Sequence, residues 1–120
     1  LTLAGQQIPL VAVGRFLIDT GASSTVVDPD LIQGLGLQPT GRTGISTPST
    51  PAGSFHLCDQ YDVSLFIPAA VGTGGYFIEA LPIITTHLRS QGINGLIGRD
   101  VLNACTLIYN GSASIFTLAY

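Results

Sequence analysis

Two segments of this chain bring together residue types that could do chemistry. The first is Phe16-Leu17-Ile18-Asp19-Thr20-Gly21-Ala22-Ser23, an apolar run that delivers one carboxylate into a turn. The second, late in the chain, is Gly95-Leu96-Ile97-Gly98-Arg99-Asp100. A lone Asp-Thr-Gly could mark any strand-to-turn junction. With the apolar strand before it, Ala-Ser after it and the late segment beside it, the signal is strong. The chemistry on offer is acid–base work by a carboxylate, that of Asp19. Other chemistries lack their residues. Cys58 and Cys105 fit no metal spacing, and no second ligand pair answers His56 and Cys58, so no metal site is expected. His56 and His87 have no triad around them. Gly72 to Gly75 is followed by no Gly-Lys-Ser/Thr, so it is not a phosphate loop.

The elements around these segments read as short strands separated by Gly, Pro, Ser and Thr clusters, which predicts an all-β domain. Strands are expected over Ile8 to Val13 and Arg15 to Ile18, with Gly14 as a bend or bulge between them. Thr25-Val26-Val27 is a short strand. Asp28 then caps a helix, with Pro29 at its first position and Leu31, Ile32 and Leu35 on its apolar face. Gly34 and Gly36 end it. Ser54 to Leu57, Gln60 to Ile67 and Tyr76 to Ile84 are further strands, and Ala70 to Gly75 is a loop. Arg99 to Ala104 is a short second helix. A final hairpin runs from Thr106 to Tyr109 and from Ser114 to Ala119, turning at Asn110-Gly111. That turn is a better reading of Asn110-Gly111-Ser112 than a glycosylation sequon.

The composition narrows the partners. The 120 residues fit one domain, spanning 1–120. Hydrophobic residues make up 46% and charged residues 9%, too few charges to cover a monomer's surface easily. Part of that surface is therefore expected against a partner. There is no lysine, the arginines are Arg15, Arg42, Arg89 and Arg99, and the net charge is -3, so nucleic-acid binding is not expected. The longest apolar candidate, Val63 to Val71, is interrupted by Ser64 and Pro68 and falls short of the roughly 18 residues of a membrane span. Cys58 and Cys105 are expected as thiols, with a disulfide as the alternative, and the compartment stays open.

With Leu17-Ile18-Asp19-Thr20-Gly21-Ala22 and Leu96-Ile97-Gly98-Arg99, the chain resembles the retropepsin-like aspartic peptidases, the single-domain relatives of pepsin. The resemblance extends over nearly the whole chain, and its long central region looks more like cellular or bacterial members than viral ones. It implies a retropepsin-like closed β-barrel, the acid-protease fold, with one or two short helices and a flap hairpin. It also implies an aspartic endopeptidase that needs no cofactor. Two close carboxylates can activate water and protonate a scissile carbonyl. This chain has one Asp-Thr-Gly, so the second carboxylate comes from a second copy, and a homodimer acting on a peptide or protein is expected. The rival reading is a catalytically inactive dimerisation or peptide-binding module on the same fold.

The resemblance also distributes roles. Asp19 is the catalytic carboxylate. Thr20, Gly21, Ala22, Gly98 and Arg99 support the active-site loop. Phe16, Val26 and Ile97 form part of the substrate pockets, and Ile45 or Ser46 reaches the substrate from a flap over Gly41 to Phe55. Two departures stand out. Ser23 is neutral where viral members commonly carry an acid that pairs with the late arginine, so Arg99 needs another partner: Asp100, Asp28 or a backbone carbonyl. Pro48 and Pro51 occupy a flap whose tip is commonly glycine-rich. Asp28 and Asp100 are otherwise read as helix-start residues, and Asp30, Asp59, Asp62 and Glu79 as solvated surface groups.

Overall fold

The computed structural model describes residues 2–3, 6–7, 11–45, 56–69 and 74–120. Its strands are β1 (Thr2–Leu3), β2 (Gln6–Gln7), β3 (Phe16–Ile18), β4 (Val26–Val27), β5 (Gly41–Ile45), β6 (His56–Ile67), β7 (Tyr76–Thr85), β8 (Gly95–Ile97), β9 (Thr106–Asn110) and β10 (Ile115–Ala119). Two one-turn helices, α1 (Pro29–Ile32) and α2 (Arg99–Leu102), interrupt them. The fold is all-β, and its main sheet curls into the half-barrel of the acid-protease fold.

That sheet has the order β3-β8-β4-β7-β6-β5. β8 lies parallel to β3 and antiparallel to β4, so it is inserted between the two strands that flank the Asp19 turn. Asn94 extends this insertion backwards. Its N–H donates to the Arg15 carbonyl, its side-chain Oδ1 accepts the Arg15 N–H, and its carbonyl accepts the Asp28 N–H. β6 and β7 form the long hairpin of the sheet, with a register shift between Val63 and Leu65 where Ser64 Oγ donates to the Glu79 carbonyl at 2.7 Å. Alternation along β6 and β7 sends Tyr61, Val63, Leu65, Ile67 and Ile78 against a core of Val27, Ile32, Leu81, Ile83, Ile97, Val101 and Leu102. Burial of these branched side chains is the main favourable term holding the sheet's shape.

Asp28 caps α1 as expected, accepting the Asp30 N–H, with Pro29 in the first turn. The helix tightens into a 3-10 turn over Gln33–Leu35, and Gly36 ends that turn in the left-handed region at φ 67°. Gly34, expected as a terminator, lies inside it. Other boundaries also differ from the sequence reading. Val11 to Val13 are apolar but exposed and outside any strand, because no neighbouring strand reaches them among the described residues; Ile8 to Leu10 lie outside those residues. Leu57 to Gln60 continue one unbroken β6, because Arg42 and Thr43 pair with Asp59 and Cys58 across β5. The β9–β10 hairpin has the expected strands, but its turn is longer than Asn110-Gly111. Asn110 pairs with Ile115, and Gly111 to Ser114 form the loop. Asn110 Oδ1 shapes it by accepting from Ser112 Oγ and the Ala113 N–H, and Ser114 takes φ 56°. Cys58 and Cys105 are thiols rather than a disulfide, and burial pushes both thiols up from their ordinary value. Among the described residues no helix is long and apolar enough to cross a membrane.

Candidate active site

The insertion of β8 between β3 and β4 forces residues 19–25 to leave β3, arch over the end of β8 and re-enter as β4. Asp19 stands at the start of that arch. Its N–H donates to the Ile97 carbonyl at 3.0 Å, which continues the β3–β8 ladder by one step. The Ala22 N–H returns to the Asp19 carbonyl at 3.2 Å and closes the turn. The Gly21 N–H donates to Asp19 Oδ1 at 2.9 Å and fixes the carboxylate's rotation. Asp19 Oδ2 accepts no hydrogen bond among the described residues, and no unpartnered side-chain oxygen is buried there. One carboxylate oxygen is held and the other faces outwards. A Cβ on residue 21 would lie 3.2 Å from Asp19 Oδ1, so glycine there keeps the carboxylate where its own N–H can reach it.

The late segment clasps the arch from below. The Arg99 N–H donates to the Ala22 carbonyl at 2.8 Å, and Arg99 Nη1 donates to the Thr20 carbonyl at 2.9 Å. Of the three partners open to Arg99 in the sequence, the backbone carbonyl is the one it takes. Gly98 passes so close to the arch that a Cβ there would sit 2.6 Å from both the carbonyl carbon and the oxygen of Ser24. Thr20, Gly21, Ala22, Gly98 and Arg99 are therefore brought together around Asp19.

Phe16, Val26 and Ile97 lie close to the same arch, on the three adjacent strands β3, β4 and β8. Val26 and Ile97 are buried, and Ile97 belongs to the core; Phe16 is half-buried against it. Ile45 is the last residue of β5, paired with His56. Ser46, like the rest of the span to Phe55, lies outside the described residues.

A family model described as aspartyl protease matches residues 2–101. The chain belongs to the aspartyl protease family. The match and the fold together make it retropepsin-like. No curated protein matches it. Its family is one of peptide hydrolases, and the match spans both the Asp19 arch and the Gly98-Arg99 clasp of this aspartyl protease domain.

Thr25, at the end of the domain's arch, escapes a reading of the sequence as sequence. Thr25 is fully buried, and its N–H and hydroxyl both go to the carboxylate of Asp100, at 2.8 and 2.7 Å. Asp100 does open α2, accepting the Val101 N–H at 2.9 Å, but its larger role is this contact with the far end of the arch. The signal was a threonine just before Val26-Val27, and it acquires meaning only once β8 is known to lie between β3 and β4. Asp28 likewise does more than cap α1. Its Oδ2 accepts the N–H groups of Leu88 and Arg89, each at 2.8 Å. Asp30 and Asp59 are surface groups as expected, and they pair with Arg89 and Arg42 at 3.4 and 3.3 Å.

Proposed function

We propose that this domain is a homodimeric aspartic endopeptidase in which two copies of Asp19, one from each chain, share the work on one water molecule. An ionised Asp19 takes a proton from water as it attacks the scissile carbonyl carbon. The protonated Asp19 of the second copy donates to the carbonyl oxygen. The tetrahedral intermediate then collapses as the leaving amine takes up a proton. Carboxylates about 3 Å apart cannot both ionise, which keeps one proton in the pair. The observation that carries this reading is the state of the Asp19 carboxylate: Oδ1 pinned by the Gly21 N–H, Oδ2 open, on an arch clasped by Arg99.

The substrate lies extended across the arch beneath a flap over Gly41 to Phe55, of which Gly41–Ile45 are described, and the flap excludes water. Phe16, half-buried, supplies an apolar wall, with Val26 and Ile97 as the buried layer behind it, and Ile45 or Ser46 contacts the substrate. Thr20 bonds across the two-fold axis. Dimerisation is supported by the β9–β10 hairpin, a separate two-stranded sheet with exposed Ile108, Tyr109, Ile115 and Phe116.

The test is cleavage of a mixed peptide library by the native domain and by Asp19→Asn, from acidic to neutral pH. Cleavage with apolar residues flanking the cut, abolished by Asp19→Asn, is the expected result. Folded dimer that binds extended peptides but cuts none would overturn it in favour of a binding module.

A further inference from the structure

We propose that Asp100 is a positioning residue for the Asp19 loop, acting through Thr25 and Gly98. The activity arm of this inference rests on the peptidase reading above; its structural arm does not. Thr25 ends the arch and Gly98 ends the strand beneath it. The Thr25 hydroxyl joins the two, donating to Asp100 Oδ1 at 2.7 Å and accepting the Gly98 N–H at 3.2 Å. Asp100 Oδ2 accepts the Thr25 N–H at 2.8 Å. One carboxylate thus grips both donors of one buried residue, and does so across 75 positions of sequence.

The grip matters because of what lies one residue away on either side. Ile97, before Gly98, supplies the carbonyl that receives the Asp19 N–H. Ser24, before Thr25, has its backbone pressed against Gly98. Release of Thr25 frees Ser24 and Gly98 to separate, and the Ile97 carbonyl moves with Gly98. The Asp19 carboxylate then loses its fixed height above β8. Asp100 touches neither Asp19 nor the water it activates; it acts on where they meet. The contact also sets the residue type. Thr25 presents two donors, its N–H and its hydroxyl, and a carboxylate answers each with a separate oxygen. An asparagine offers one oxygen and would turn an NH2 towards the other donor. A displacement of the order of 1 Å at a reacting group costs about 100-fold in rate, so this contact is read in turnover rather than in substrate affinity.

The experiment compares the native domain with Asp100→Ala, Asp100→Asn, Thr25→Val, Thr25→Ser and the double variant Asp100→Ala/Thr25→Val. Turnover is normalised to folded dimer, and amide hydrogen exchange is followed at Asp19, Gly21 and Gly98. Asp100→Ala is expected to lower kcat about 10- to 100-fold with KM changed less than about 3-fold. Asp100→Asn falls between it and the native domain, Thr25→Ser keeps both donors and stays within about 3-fold of native turnover, and the double variant is no worse than Asp100→Ala alone. Exchange at Asp19 and Gly98 rises at least about tenfold in Asp100→Ala, while the β6–β7 amides stay protected. Independent, multiplying losses from Asp100→Ala and Thr25→Val would overturn the proposal, as would native exchange at Asp19 and Gly98 in Asp100→Ala. If the native domain itself cuts nothing, the peptidase reading fails and the exchange data alone decide on Asp100. If Asp100→Ala does not fold, Asp100→Asn and Thr25→Val decide by the same readouts.

Discussion

Arg99 Nη1 donates to the Thr20 carbonyl at 2.9 Å although the two residues lie 79 positions apart. The guanidinium is long enough to reach past the Ala22 carbonyl, which the Arg99 N–H already occupies. It thereby holds the residue next to Asp19. Lysine carries the charge but not the planar fork, and its ammonium is more strongly hydrated. Arg99→Lys and Arg99→Ala are expected to lose about 1 and 2 kcal/mol of stability respectively in urea titrations. Turnover per folded protein should fall about tenfold in both. Native turnover in Arg99→Ala would show that the clasp is dispensable.

A second prediction concerns pH. Asp28 is buried, and burial alone would raise its pKa. The N–H groups of Leu88, Asp30 and Arg89 and the charge of His87 outweigh that and hold it below the ordinary carboxylate value. A carboxyl group with a lowered folded-state pKa stabilises the fold above its unfolded value of about 3.9, and that contribution is lost as pH falls through the folded value. Stability should therefore decline with acid from about pH 5 downwards. Asp28→Asn turns an NH2 towards the Leu88 and Arg89 donors and should cost about 1–3 kcal/mol at pH 7. The cost should shrink towards pH 3, because protonated Asp28 loses the same advantage. A constant difference between variant and native across that range would rule out Asp28 as a source of acid sensitivity.

Glycine at position 98 is required by the crossing of two backbones, not by a turn. Its φ is -94°, open to any residue, yet a Cβ would meet Ser24 backbone atoms that cannot swing aside. Gly98→Ala should cost about 3 kcal/mol or more. Gly34 has open space around it, and Gly34→Ala should change stability by less than about 0.5 kcal/mol. Equal effects in thermal melts would mean that the arch and β8 separate easily.

How far the sequence carries this fold depends on whether the information is local. The β3 run into Asp19, the Asp28-Pro29 helix start and the alternation along β6 are set by neighbouring residues, and they were legible. So was the pairing of two distant motifs, though by resemblance and not by physics. Val11 and Val13 mislead because β-branched residues form a strand only when another strand receives them. Asn110-Gly111 suggests a tight turn, but the Asn110 side chain bonds instead to Ser112 and Ala113 and widens it. The grip of Asp100 on Thr25 could not be read at all, since it follows from the order β3-β8-β4, which neither residue encodes alone.

The last prediction addresses the proposed second copy. β9 and β10 pair only with each other, so both outer edges of the hairpin are open among the described residues. On one face Leu107 and Leu118 pair across the ladder, and Leu118 packs on the core; Tyr120 beyond it stacks on Tyr76 at 5.0 Å. The base of the hairpin is therefore anchored. Further out on the same face, Tyr109 and Phe116 pair at 81% and 58% exposure. Ile108 and Ile115 are exposed on the opposite face. A two-stranded ribbon this apolar is marginal in water and gains from being covered. A two-fold interface counts each buried ring twice, so Phe116→Ser should weaken dimerisation by about 2 kcal/mol, or roughly 30-fold in Kd. Monomer stability should hardly change, because the ring is already exposed. Sedimentation equilibrium measures the first and urea titration of dilute protein the second. Activity should fall with dilution sooner than in the native domain and recover at high concentration. An unaltered dimer constant in both Phe116→Ser and Tyr109→Ser would rule this hairpin out as the two-fold contact, and a native domain that stays monomeric at high concentration would overturn the proposed dimer.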